Sequence, residues 1–219
     1  GFLLMIILFI IMVAISFLFM FGPLLIAKFQ NKNLISKPSS MIFFYFFLTG
    51  FGFMCIEIPL FQMLISVLGN PIYSFAFVVS SLLIFSGIGS ALYSKVVRYV
   101  PVLFILIPII CLIFYLTLNP QTILSMSDSL YIRIIFLCII IAPLGLATGI
   151  AFPAGMDKLV GNQQKNIPWA WAINGFASVI SSVFAAILAL NIGLSNVLGI
   201  AGIAYLISWI ILIIFIYIP

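Results

Sequence analysis

Gly50–Gln62 reads GFGFMCIEIPLFQ and lies inside a run from Ser40 to Leu68 that is apolar nearly throughout. A helix rises 1.5 Å per residue, so roughly 20 apolar residues cross the hydrocarbon core of a bilayer. This run is long enough, and Glu57, the only glutamate of the chain, falls near its middle. A carboxylate at that depth costs roughly 2.5–3.5 kcal/mol on insertion scales. Pro59 follows two residues later. It lacks an N–H, so the Cys55 carbonyl loses its helical donor, and the helix is expected to be disturbed there. Gly50, Met54, Glu57 and Phe61 share one helix face. Gln62 is about 140° away from Glu57 and does not.

The rest of the chain repeats this pattern. Of 219 residues, 66% are hydrophobic and 5% charged, with a mean hydropathy of +1.47. A soluble domain cannot cover its surface with so little charge. The expected fold is an all-α integral membrane bundle of about seven transmembrane helices. The spans fall near residues 2–27, 40–68, 72–94, 101–118, 131–152, 168–190 and 195–217, in one domain over 1–219. Spans 1, 4 and 7 are generic apolar runs, and span 4 reads as peripheral. The chain starts at Gly1 without a basic leader or small-residue cleavage site, and is read as part of a longer protein or a processed product.

Between the spans lie short loops. Lys28, Lys32 and Lys37 follow span 1, Lys95 and Arg98 follow span 3, and Lys158 and Lys165 follow span 5. The other loops have no basic residue unless Arg133, at the edge of span 5, is counted. By the positive-inside rule the N-terminus faces out and the C-terminus is cytoplasmic, in a cell inner membrane. The basic balance is thus a topology signal, and the expected partner is the lipid bilayer, with no nucleic acid. The chain has no histidine, so the commonest metal ligand is missing. Cys55, Cys111 and Cys138 are isolated in apolar runs and read as small core residues. Neither a phosphate loop nor a metalloprotease or dinucleotide motif is present. Span 7 has no lysine to hold retinal. No cofactor is expected in this chain, and no metal site.

The candidate chemistry is intramembrane. Glu57 has no Lys or Arg at its depth. It reads either as a binding or proton-coupling site or as a structural acid bonded across helices. Asn174, Ser178, Ser181, Ser182 and Ala185 form a stripe on one face of span 6. That stripe faces protein or a water-filled cavity, or serves as interhelical glue. Glu57, Asn174, Ser178 and Gln62 are therefore the candidate binding residues, and none is catalytic. Pro59, Gly145, Gly149 and Pro153 are candidate helix-break or packing positions, with Gly145 and Gly149 a small-xxx-small pair. Ser86/Ser90 and Gly87/Ala91 are two further small-residue pairs on span 3. Asp157 and Lys158 read as a loop ion pair.

Three blocks resemble the C-terminal membrane region of bacterial spermidine synthase-like multi-pass proteins. These are Phe46–Lys95, with its GFGFMCIEI core; Ala142–Leu159, APLGLATGIAFPAGMDKL; and Ile167–Ser195, with IPWAWAINGFASV. In that family a Rossmann-like domain, carrying a glycine-rich turn and several aspartates, performs aminopropyl or S-adenosylmethionine-dependent transfer. Nothing here matches that domain, and Asp128 and Asp157 are the only aspartates. The resemblance therefore implies a membrane domain that anchors or serves a transferase-like domain elsewhere, in the same chain or a partner. The alternative from the residues alone is a transporter-like bundle for a small cationic or amine solute, coupled through Glu57.

Overall fold

The computed structural model describes residues 2–29, 39–117, 120–126, 129–161 and 164–217. The loop lysines Lys32 and Lys37, and Asp128, lie outside them. The described residues form helices and no strand: α1 (Phe2–Phe29), α2 (Ser40–Leu68), α3 (Pro71–Val96), α4 (Val100–Thr117), α5 (Pro120–Met126), α6 (Leu130–Gly155), α7 (Ile167–Ile192) and α8 (Leu194–Tyr217). The seven long helices fall where the apolar runs predicted spans, and the chain is an all-α membrane bundle. Short α5 lies between the apolar runs of α4 and α6.

By length and composition, α2, α7 and α8 can cross a membrane. So can two composite stretches: Pro71–Thr117, which joins α3 to α4, and Leu130–Val160, which extends α6. The join between α3 and α4 is a single 3-10 turn at Val97–Tyr99, and the extension of α6 is a π-turn at Met156–Val160. The α2–α3 turn is tighter still. Gly69 closes α2 in the left-handed region at φ 72°, where a side chain would be strained. Asn70 then caps α3, its Oδ1 accepting the Ile72 N–H at 2.8 Å, and Pro71 opens the helix.

Pro59 lies inside α2, and Pro143 and Pro153 inside α6, with each helix continuing through them. The departure from α geometry comes after Pro153, in the π-turn, where the helix takes up an extra residue. Pro59 is buried among neighbouring helices, Pro153 is half-buried and Pro143 is exposed.

Helix α2 is the hub. It packs on α7, α8, α3 and α6, and Tyr45, Phe46, Ile56, Leu60 and Leu64 on it are fully buried. Among the described residues helix α1 packs chiefly on α7, through Phe17, Phe21, Phe176 and Trp169. Helix α4 is not peripheral: it packs on both α8 and α6. Its Phe104 reaches the Tyr45 and Tyr205 rings at 6.2 and 6.1 Å.

Residue pairings give the directions. Tyr45 meets Ala151 and Gly155, and Tyr93 meets Asp157. Pro101 meets Trp209. These contacts place Lys95, Arg98, Lys158 and Lys165 near one end of the bundle, called here the basic end. Helices α2–α4 and α6–α8 are then two three-helix units of opposite orientation. Exchanging α2 with α6, α3 with α7 and α4 with α8 turns the α2–α7 contact into α6–α3. It turns α2–α8 into α6–α4 and leaves α4–α8 unchanged. The correspondence is partial, since α2 packs on α3 and α7 on α8 while the equivalent α6–α7 and α3–α4 pairs have at most marginal contact among the described residues. The arrangement is that of an approximate inverted repeat.

Candidate functional site

The site grows from a glycine. A Cβ on Gly50 would stand 2.5 Å from the Asn174 carbonyl oxygen and 2.9 Å from its Nδ2. Only glycine lets α7 approach α2 so closely. At that crossing α7 donates side-chain hydrogen bonds to α2. The Asn174 Nδ2 donates to the Phe46 carbonyl at 3.1 Å and to Thr49 Oγ1 at 3.2 Å. Ser178 Oγ lies 3.5 Å from the Gly50 carbonyl and donates at 2.9 Å to the Asn174 carbonyl of its own helix. From α8, the Tyr205 hydroxyl donates to the Thr49 carbonyl at 3.3 Å, its ring lying on Gly52.

Beside this crossing is a partly open cavity of about 560 Å³. Its polar lining comes from Thr49 on α2, Ser86 and Ser90 on α3, Thr148 on α6, and Asn174 and Ser178 on α7. Phe53, Met54, Leu83, Phe152 and Trp171 supply apolar wall, and Tyr205 lies at its edge. The Phe152 and Trp171 rings are 4.5 Å apart between centroids and stand between α6 and α7. The lining residues lie in the halves of α2, α3, α6 and α7 nearer the basic end.

The predicted residues separate. Asn174 and Ser178 line the cavity, whereas Glu57 and Gln62 do not. Asn174 opposes Gly50 rather than Glu57, and seven residues of helix put those positions about 10 Å apart along the axis. Glu57 sits one turn beyond Phe53 and Met54, half-buried. It makes no hydrogen bond or ion pair among the described residues. Side chains on a helix lean towards its N-terminus, which for Glu57 is the direction of the cavity. Gln62 is half-buried further along α2. Ser181 and Ser182 bond carbonyls of their own helix, at 2.6 and 2.8 Å, and tie nothing across.

The small-residue pairs also separate. Gly145 and Gly149 are packing positions. A Cβ on Gly145 would be 2.6 Å from Phe85 Cβ, and Gly149 lies directly against the Ser86 carbonyl. On α3 the contact residue is Gly89, set against the Leu146 carbonyl, while Gly87 has open space around it. Asp157 pairs with Lys158 at 2.9 Å and accepts from the Tyr93 hydroxyl at 2.8 Å, tying α3 to the π-turn.

Sequence reasoning missed Thr49, Thr148, Phe152 and Tyr205 as cavity residues, and missed Tyr45, whose hydroxyl donates to the Ala151 carbonyl at 2.6 Å. The tyrosines carried a usable signal, since a phenol buried in an apolar span needs an acceptor. Comparison of the chain with protein-family models, with curated proteins and with solved structures finds no match to any of the three.

Proposed function

We propose that this membrane domain binds a small amine or cationic solute. The cavity between α2, α3, α6 and α7 would receive it, with Glu57 one turn beyond. The domain would serve a spermidine synthase-like transferase domain, in the same or a partner chain. The observation that carries the reading is the cavity itself. Asn174, Ser178, Thr49 and Thr148 all have hydrogen-bond partners within the protein, yet they border an open volume that a plain anchor does not need. Polar groups in lipid stand where protein, water or ligand satisfies them. The cation preference rests on Glu57, which lacks a basic partner. Phe152 and Trp171 beside the cavity add ring faces that attract ammonium groups. The transferase partner rests on the resemblance of the three sequence blocks. In this reading the basic end, and with it the cavity half, is cytoplasmic.

A transporter is the second reading, and the two inverted three-helix units favour it, because many transporters place their site between such repeats. Equilibrium binding of radiolabelled 1,4-diaminobutane, with uptake into proteoliposomes alongside, tests both. Glu57→Gln is expected to weaken binding tenfold or more. Uptake that disappears with the same substitution selects the transporter; binding without uptake selects the serving domain. Equal binding by wild type and Glu57→Gln overturns the assignment of Glu57.

A further inference from the structure

Two seams beside the cavity, α3–α7 and α6–α7, have at most marginal helix contact among the described residues. Helix α3 packs on α6, and α7 packs on α2 and α1, but among the described residues α3 and α7 make at most a marginal contact. The cavity reaches this seam. Ser86, Gly87 and Ser90 line it from α3, and Trp171, Asn174 and Ser178 from α7. Gly87 and Ser90 are exposed, as are Leu83 at 57% and Trp171 at 62%. A Cβ on Gly87 would meet nothing within 4 Å. A serine-lined opening thus faces sideways at the depth of the hydrocarbon, flanked by large apolar side chains.

Hydrocarbon tails against Ser90 would leave its hydroxyl unpaired, while exposed Leu83 beside the opening gives a hydrocarbon chain an apolar surface to follow. An amphiphile satisfies both surfaces. We infer that the cavity is entered from the bilayer through the α3–α7 seam, and that its ligand carries a hydrocarbon chain behind a small hydrogen-bonding head. The head lies against Asn174, Ser178 and Thr148, and the chain leaves past Gly87 and Leu83. The closed Phe152–Trp171 ring pair agrees with this route, since it narrows the gap between α6 and α7 towards the basic end. The amine character of the head rests on the function proposed above; the lateral route does not.

The test uses the whole chain in lipid nanodiscs with two photoreactive probes that share a twelve-carbon, diazirine-tipped tail. One has a primary ammonium head and the other a monoacylglycerol head. Adducts are mapped by mass spectrometry, with the outer face of α4 as the reference for plain lipid contact. Labelling along the seam, around Leu83 and Ile84, is expected at five times the α4 level or more. Excess unlabelled dodecylammonium is expected to remove it, and ethylammonium to do so only weakly. Gly87→Trp, which fills open space, is expected to bring seam labelling down to the α4 level with an unchanged thermal midpoint. Should Gly87→Trp unfold the chain, Gly87→Leu with Ser90→Leu takes its place. Seam labelling by the glycerol probe alone removes the amine reading of the function and keeps the lateral route. Seam labelling no higher than α4 with both probes overturns the inference, as does equal competition by ethylammonium and dodecylammonium.

Discussion

The α2–α7 and α3–α6 seams occupy equivalent places in the two inverted units, yet different forces hold them. Along α2–α7, glycine clears a path and polar side chains use it. Asn174 reaches the Phe46 carbonyl and Thr49, and Ser178 approaches the Gly50 carbonyl. Along α3–α6, glycine brings backbone directly onto backbone, Gly89 under the Leu146 carbonyl and Gly149 under that of Ser86. The nearby hydroxyls, Ser86 and Thr148, bond carbonyls of their own helices. Lipid tails are as apolar as leucine, so neither seam gains from hydrophobic burial. One is closed by shape and the other by shape plus hydrogen bonds. The cavity lies between them, and both seams supply polar wall to it.

Substitutions that separate shape from hydrogen bonding sharpen this contrast. The largest loss is expected for Gly89→Ala or Gly149→Ala, because the new methyl meets a backbone carbonyl that cannot rotate away. Overpacking of this kind costs about 1–3 kcal/mol and sometimes more; the upper end is expected, measured by steric trapping in bicelles. Gly50→Ala comes next, at about 2 kcal/mol. Part of the pressure there falls on the Asn174 side chain, which can move, though its carbonyl at 2.5 Å cannot. Asn174→Ala removes the hydrogen bonds and leaves the shape. Interhelical polar contacts in membranes are worth about 0.6 kcal/mol on average and rarely exceed about 2, so a loss of about 1 kcal/mol is expected. A double-mutant cycle with Thr49→Val assigns the part due to that pair. If Asn174→Ala proved costlier than Gly149→Ala, the two seams would not differ as described.

How far the sequence foretold this depends on the kind of signal. Helix positions were legible because a membrane span is set by length and apolarity, both of which are local. Asn174 and Ser178 were legible as one polar stripe in an apolar helix. The partner of that stripe was not. Glu57 drew attention as the costliest residue, but the place opposite Asn174 belongs to Gly50, which has no side chain to announce it. The prolines were legible as positions, but how a helix runs on past one depends on packing from other helices, as at buried Pro59, and that is not local. The inverted relation of α2–α4 to α6–α8 lies in contacts between helices distant in the chain, and no periodicity within one helix reports it.

The smallest effect is expected two residues from one of the largest. Gly87 and Gly89 share a short glycine-rich segment of α3, and spacing alone singled out Gly87 with Ala91. In the structure Gly89 is buried against α6, while Gly87 faces the open seam. Gly87→Ala adds a methyl where nothing stands within 4 Å and removes some conformational freedom from the unfolded helix. Stability is expected to stay level or to rise by less than about 1 kcal/mol, the usual helix-propensity gain. A loss above about 1 kcal/mol in the same steric-trapping assay would mean that α3 meets another surface at Gly87. The α3–α7 seam would then be closed by protein rather than open to the bilayer, and the contrast between the two seams would have to include a third.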